Sequence, residues 1–322
     1  MKRIFSSIAF AVVILCSLSV PGWAEELLIP VGEIIGLQLQ DDTVTVAAFD
    51  DALGAAAREA GIKIGDEILS VNGHRIHSAE DIRQALSHGD AEVSVTVRRG
   101  GKAHTLKLTP QETAHGPRLG IYLRQGIAGI GTVTWYDPES GSFGTLGHGV
   151  SGSGGALLAM TGGTAYPAEV VSVKKGKSGE PGQLKGSCDA LTEWGKLVKN
   201  TPQGVFGTSR MGWEGEAIPV AEYDEIRTGP ATVRSTVRGD RPQDYSVEIL
   251  KIYPQDREDC RNFLIKVTDP ALLELTGGIV QGMSGSPIIQ DGKLVGAVTH
   301  VLVNDPTRGY GIFIENMLEA AE

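Results

Sequence analysis

Along most of this chain apolar and polar residues alternate with a period of two, interrupted at short intervals by glycine or proline, which is the pattern of short, half-buried strands. Gly36-Leu37-Gln38-Leu39 and Thr43-Val44-Thr45-Val46 read this way, as do residues 92–98 and 104–108 on either side of Gly100-Gly101. Beyond residue 118 strand-like runs dominate, at residues 130–136, 168–173, 231–237, 246–252 and 294–300. Helical spacing is confined to a few places. Residues 52–60 form a short alanine-rich helix stopped by Gly61. Ser78 caps a second helix, with Glu80 and Asp81 in its first turn, Ile82, Ala85 and Leu86 on its apolar face and Gly89 at its end. Residues 314–322 suit a third. The polar Gly/Lys/Ser-rich stretch at 174–185 is expected to be an exposed loop. The pattern predicts a mainly β protein: a compact unit over residues 27–110, a linker at 111–117 carrying a lone His115, and a β barrel or sandwich over 118–322.

Length and composition agree with two units. A chain of 322 residues can bury two cores, and 43 glycines are nearly twice the usual share of about 7%, as expected of a β-rich body with many tight turns. The formal charge of -10 without a basic stripe argues against nucleic acid as a partner. At the N-terminus Lys2 and Arg3 precede an apolar run over residues 4–20 and the small residues of Pro21-Gly22-Trp23-Ala24. Residues 1–24 therefore read as an export signal or an N-terminal membrane anchor, and the protein is expected outside the cytoplasm, secreted or tethered. Cys188 and Cys260 would remain after cleavage, and an oxidising compartment permits a disulfide between them. Neither sits in a C-x-x-C pair or beside a histidine, so no metal and no cofactor is indicated.

The chemistry centres on Gln281-Gly282-Met283-Ser284-Gly285-Ser286-Pro287. Small residues here let the backbone bend and aim N–H groups at a developing oxyanion, with Ser284 as candidate nucleophile and the Gly282 and Ser284 amides as donors. A plain Gly/Ser/Pro turn between strands explains these residues equally well. A serine nucleophile needs a base, and of the seven histidines His148 stands out, between Gly147 and Gly149 at a strand end. His300 closes the strand at 294–300 and is better read as structural. His74 and His77 are expected to be solvated.

Two resemblances sharpen this reading. The run Gly61-Ile62-Lys63-Ile64-Gly65-Asp66-Glu67-Ile68-Leu69-Ser70-Val71-Asn72-Gly73 resembles a bacterial, circularly permuted PDZ domain. That resemblance implies a module that takes up a C-terminal or internal peptide as an added strand. The matching loop would be Ile34-Ile35-Gly36-Leu37, with Ile35, Gly36 and Leu37 as peptide-binding residues, and Ala79, Ile82 and Leu86 either lining the groove or serving the core. The stretch from Gly131-Thr132-Val133-Thr134-Trp135-Tyr136-Asp137-Pro138 through Gly144-Thr145-Leu146-Gly147-His148 to Gly282-Met283-Ser284-Gly285-Ser286-Pro287 resembles the SpoIVB peptidase family. Its members are exported, PDZ-containing serine peptidases of spore formers, counted among the chymotrypsin-like double β-barrel enzymes.

The resemblance implies His148 as general base, Ser284 as nucleophile and Asp269, in Val267-Thr268-Asp269-Pro270, as orienting carboxylate. The order His148, Asp269, Ser284 is that of the chymotrypsin-like enzymes, but an aspartate so near the serine departs from their spacing, and Asp269-Pro270 suits a turn as well. The physiology implied is self-cleavage and cleavage of a membrane-associated signalling protein during sporulation, leading to sigma factor activation, in the space between forespore and mother cell. Two readings compete: a PDZ-bearing scaffold that has lost catalysis, and a general quality-control protease.

Overall fold

The computed structural model describes residues 26–87, 89, 91–152 and 155–322, so the export segment expected at 1–24 lies outside the described residues. The chain opens with β1 (Leu27–Pro30) and a long β2 (Ile34–Phe49), then passes through α1 (Ala55–Glu59), β3 (Glu67–Val71), β4 (His74–Arg75), α2 (Ala79–Leu86), β5 (Val93–Arg99) and β6 (Lys102–Leu108). A second long strand, β7 (Ile121–Tyr136), leads to β8 (Ser142–Thr145), β9 (Gly162–Lys174), β10 (Gln183–Cys188), β11 (Gly195–Thr201), β12 (Gly204–Ser209) and β13 (Ile218–Pro219). The last third holds β14 (Gly229–Ser235), β15 (Gln243–Ile252), β16 (Phe263–Val267), α3 (Pro270–Thr276), β17 (Pro287–Gln290), β18 (Lys293–Leu302), β19 (Asp305–Phe313) and α4 (Ile314–Ala321).

Three cores result. β14-β15-β16-β19-β18-β17 close a barrel around Phe263, Ile265, Val247, Ile288 and Phe313. A second ring runs β7-β8-β12-β11-β9-β2 and closes by pairing β2 with β7, around Leu37, Val133, Phe143, Leu197 and Val205. The third core holds Val46, Ile68, Val71, Ile82, Leu86, Val95 and Val97, packed between α1, α2 and the sheet made by β3, β5 and β6 with the far halves of β2 and β7.

The two long strands carry the topology. Residues 34–39 of β2 pair with 127–132 of β7 and with β9 in the first barrel, whereas residues 44–49 pair with 121–125 of β7 in the third unit. The register slips between Leu39 and Val44, where Gly126 crosses at φ +73 and a Cβ would lie 2.0 Å from the Leu39 carbonyl oxygen. Only glycine fits that crossing without strain. The compact unit is thus inserted between two strands of the first barrel. The expected boundaries, 27–110 for one unit and 118–322 for the next, are corrected: residues 27–40 belong to the barrel because β1 and the near half of β2 pair there. The expected linker at 111–117 is a tight turn, with Gln111 bridged to Arg118 and Thr113 to Gly116, that feeds β7.

Most period-two runs become strands where expected, and Ser78 forms a reciprocal capping box with Asp81. The polar stretch at 174–185 is a hairpin joining β9 to β10 rather than a free loop, and its Leu184 is fully buried. Insertion has a direct consequence for truncation. Replacing residues 42–125 by a two-residue Asn-Gly link should leave a folded double barrel, since Leu39 and Ile127 already pair. Deleting residues 26–117 should abolish cooperative thermal unfolding, because it strips β2 from the ring of the first barrel and β1 from its pairing with β7. Circular dichroism melts of the two truncations distinguish these outcomes.

Candidate active site

The site lies between the barrels and is organised by Thr132 of β7, which is fully buried. Its N–H donates to the Ser284 carbonyl at 3.0 Å and its hydroxyl to the Gly282 carbonyl at 2.8 Å. Its own carbonyl accepts from the Thr145 hydroxyl at 2.6 Å and from the Leu146 N–H at 3.3 Å. One residue therefore grips both the serine loop and the turn leading to His148. Thr134, two places on, donates its hydroxyl to the Gly285 carbonyl at 2.8 Å. The approach is so close that a Cβ on Gly285, at φ +94, would lie 2.0 Å from the Thr132 carbonyl oxygen, so glycine is required there.

Anchoring the loop's carbonyls aims its amides. A trans peptide points C=O and N–H in opposite directions. The Gln281 carbonyl accepts from Leu184 N–H at 2.8 Å and the Met283 carbonyl from Ser286 N–H at 3.0 Å, which turns the Gly282 and Ser284 N–H groups the other way. Among the described residues neither amide meets an acceptor, whereas Met283 and Gly285 N–H bond to the carbonyls of Val280 and Val298. The β9–β10 hairpin thus holds one edge of the loop, with Gln281 N–H also donating to the Gly182 carbonyl at 3.0 Å.

Ser284 and His148 both line a cavity of about 410 Å³ walled mainly by aliphatic side chains from the two barrels. The Ser284 hydroxyl donates to the Thr299 carbonyl at 2.8 Å. His148 follows the left-handed residues Leu146 (φ +70) and Gly147 (φ +65), which swing it into the cavity. Its Nδ1 lies 3.0 Å from the Gly149 carbonyl oxygen; with the proton on Nδ1 that nitrogen donates there and Nε2 is left as a base. Burial lowers the His148 pKa, with the Gly149 carbonyl opposing the shift, so the ring stays neutral at physiological pH. The backbone beyond it is clamped by Asn200, whose side chain exchanges hydrogen bonds with Val150 N–H and C=O at 2.9 Å each and reaches the Leu158 carbonyl at 3.0 Å.

His300, expected to be structural, faces the same cavity with its ring centroid 5.2 Å from that of His148. Its Nδ1 is buried without a hydrogen-bond partner. Burial, reinforced by His148 and Arg261, holds His300 down at about 4.

Asp269 is a correction. Its carboxylate caps α3: Oδ1 accepts from the Ala271 and Leu272 amides at 2.9 and 3.0 Å, and Oδ2 from the Ser246 amide at 3.4 Å. It makes no hydrogen bond to His148 and does not line the cavity. The physical reason is local: Asp at N-cap, Pro270 at the first helical position and Gly277 at the left-handed C-terminus specify a helix start and stop. Ile35, Gly36 and Leu37 are also corrected as a peptide-binding loop. They form a buried stretch of β2 paired on both sides, by β7 and β9, and a Cβ on Gly36 would lie 2.5 Å from the Cys188 sulfur. Cys188 is exposed and Cys260 buried, and both are free thiols raised by burial.

The inserted unit has its own groove, about 440 Å³, between α2 and the 119–123 end of β7, lined by Ala79, Ile82, Leu86, Leu119, Ile121 and Leu123. Sequence reading left Ala79, Ile82 and Leu86 open between groove and core, and Ile82 and Leu86 serve both; it assigned Leu119-Gly120-Ile121 to the next domain. Their apolar-Gly-apolar pattern is the same one that suggested Ile35-Gly36-Leu37. Thr132, Asn200 and His300 carried no comparable signal, since a strand threonine or a loop asparagine looks the same whether or not it holds a site.

Comparison with known proteins finds two family models on this chain. The SpoIVB peptidase S55 family model matches residues 115–318, and a PDZ domain model matches residues 52–99. A probable periplasmic serine protease, do/HhoA-like, of Haemophilus influenzae is 41% identical over 101 residues, 27% of this chain and 22% of that protein. A putative zinc metalloprotease of Rhizobium meliloti is 33% identical over 111 residues, 34% of this chain and 28% of that protein. The chain therefore spans less than a third of the length of these curated relatives. Among solved structures, the PDZ domain of an SdrC-like protein from Listeria monocytogenes aligns over 27% of this chain and 92% of that one, at 21% identity and a TM-score of 0.22. The Rv3671c protease in its inactive form aligns over 60% of this chain and 82% of that one, at 15% identity and a TM-score of 0.36.

Two outcomes test the geometry. Asp269→Asn keeps the cap, so activity should stay within about tenfold of wild type, whereas a carboxylate orienting the base would lose about 10⁴-fold on the same change. The acid limb of the kcat/KM profile should lie below the ordinary histidine value of about 6.5, because the lowered pKa keeps the base unprotonated further into acid. Stability should fall between roughly pH 6.5 and pH 4, the window in which the unfolded chain protonates histidines that the fold holds neutral.

Proposed function

The chain belongs to the SpoIVB peptidase S55 family, and we propose from that premise that it is an exported serine endopeptidase whose inserted PDZ unit controls cleavage. The observation carrying the chemistry is the pair of unpartnered amides, Gly282 and Ser284, beside a hydroxyl and a neutral imidazole in one cavity. Ser284 Oγ leaves the Thr299 carbonyl, transfers its proton to His148 Nε2 and attacks a peptide carbonyl carbon. The carbonyl oxygen takes the charge and is held by the two amides. The tetrahedral intermediate collapses, His148 donates its proton to the departing amine, and an acyl-enzyme remains. Water, deprotonated by His148, releases the second product and restores the serine. The Gly149 carbonyl holds the imidazole tautomer that an aspartate holds in other serine peptidases.

Control by the PDZ unit is supported by strand continuity. The free edge of β7 at residues 119–123 faces the groove, and among the described residues the Leu119 and Gly120 amides make no hydrogen bond, which suits capture of a peptide carboxylate. Nine residues further along the same strand, Thr132 holds the nucleophile loop. A peptide added at one end thus stiffens the strand that positions the other. The ligand is the enzyme's own chain or a partner's C-terminus. The physiological reading that fits is self-cleavage and cleavage of a membrane-associated signalling protein during sporulation, with the N-terminus tethering the enzyme or being removed.

A serine-directed fluorophosphonate should label the full chain, and Ser284→Ala or His148→Ala should reduce labelling and self-processing about 10³-fold or more. Equal processing in wild type and Ser284→Ala would overturn the assignment. A short peptide ending in a valine carboxylate should slow hydrogen exchange at residues 131–134 and 282–285, and Ala79→Trp, which fills the groove, should remove that response. Unchanged exchange with bound peptide would contradict control through β7.

A further inference from the structure

The cavity beside Ser284 carries information about which peptide bond is cut, an inference that rests on Ser284 being the nucleophile. Its walls are aliphatic on both sides. Leu39 and Ile130 come from the first barrel, Ile279 and Val280 from the segment running into Gly282, and Val301 from β18 just past His300. Its polar lining is Ser284, His148, Thr299 and His300 at the reacting end and Gln281. Among the described residues no Asp, Glu, Lys or Arg lines it. The wall also has little freedom to rearrange. A Cβ on Gly278 would lie 2.1 Å from the Pro306 carbonyl oxygen, and one on Gly309 would lie 2.5 Å from Ile279 Cδ1, so the segment at Ile279 is packed directly on β19.

A charged side chain entering this cavity would lose its water and find no counter-ion, and a buried charge without a partner is strongly disfavoured. An aliphatic or aromatic side chain would exchange water for contacts with Ile279, Val280 and Val301. At about 410 Å³ the space is within the range of sites that hold compact ligands, larger than glycine or alanine needs. We propose that the peptidase selects an apolar residue, Val, Leu, Ile, Met or Phe, to bear the carbonyl that Ser284 attacks, and rejects Lys, Arg, Asp and Glu at that position by about 100-fold or more. Specificity set this way is a property of the cavity and does not depend on what occupies the PDZ groove.

The test is to digest an unfolded protein with the full wild-type chain, map the cut sites by mass spectrometry, and subtract those seen with Ser284→Ala. The expected result is Ser284-dependent cutting after apolar residues, at least about 100-fold over charged ones. Placing a carboxylate on the wall with Val301→Asp, or with Ile130→Asp if the first variant melts early, should bring Lys and Arg at least tenfold closer to the apolar residues. Ser284-dependent cutting after charged residues, or without preference, would overturn the proposal while leaving the peptidase reading intact. Identical cut patterns in wild type and Ser284→Ala would overturn the peptidase reading and this proposal with it.

Discussion

Every polar backbone and side-chain atom of Thr132 is committed to the two loops that carry the candidate chemistry. Its N–H and hydroxyl hold the serine loop, and its carbonyl holds the turn before His148. Each such bond contributes only about 1 kcal/mol net, but in a fully buried position a lost partner leaves a polar atom stranded at a cost of about 1–3 kcal/mol. The loop geometry therefore follows from the strand. With the Gly282 and Ser284 carbonyls held by β7, and those of Gln281 and Met283 held by Leu184 and Ser286, the remaining direction for the two amides is toward the cavity. Glycine at 285 is what lets the loop come near enough to be gripped.

The same strand explains the domain arrangement. A module inserted by flexible linkers would move independently of the barrel. Here residues 121–125 and 127–132 of one strand belong to different cores, separated by the Gly126 crossing. The groove of the PDZ unit and the nucleophile loop are thus built on one hydrogen-bonded ribbon, β2 with β7. The pairing register of such a ribbon has few alternatives wherever a face is buried.

Much of this was legible in the sequence. Period-two runs located strands in both barrels, and the Ser78 cap and the Gly61 stop located the helices of the inserted unit. Ser284 and His148 were found because glycines on either side leave a local signature. What stayed hidden depends on contacts distant in sequence. That residues 34–39 pair with 127–132 cannot be read from either segment, so the apolar-Gly-apolar pattern at Ile35-Gly36-Leu37 attracted the role now proposed for Leu119-Gly120-Ile121. Asp269 was different, since its signal was local and was outweighed: Asp, Pro and then Gly277 spell a capped helix, and the carboxylate is consumed in capping it. His300 belongs to the site because β18 brings it beside His148, a pairing across 152 residues that no motif records.

The central claim is that Thr132 holds the nucleophile loop in working geometry. It is tested most directly by the rate at which a fluorophosphonate labels Ser284 in Thr132→Val and Thr132→Ser proteins. Valine keeps the shape and removes the hydroxyl that donates to Gly282, whereas serine keeps the donor. The account predicts at least a tenfold slower rate for Thr132→Val, with a melting temperature within a few degrees of wild type, and a near wild-type rate for Thr132→Ser. Wild-type labelling by a folded Thr132→Val protein would contradict it.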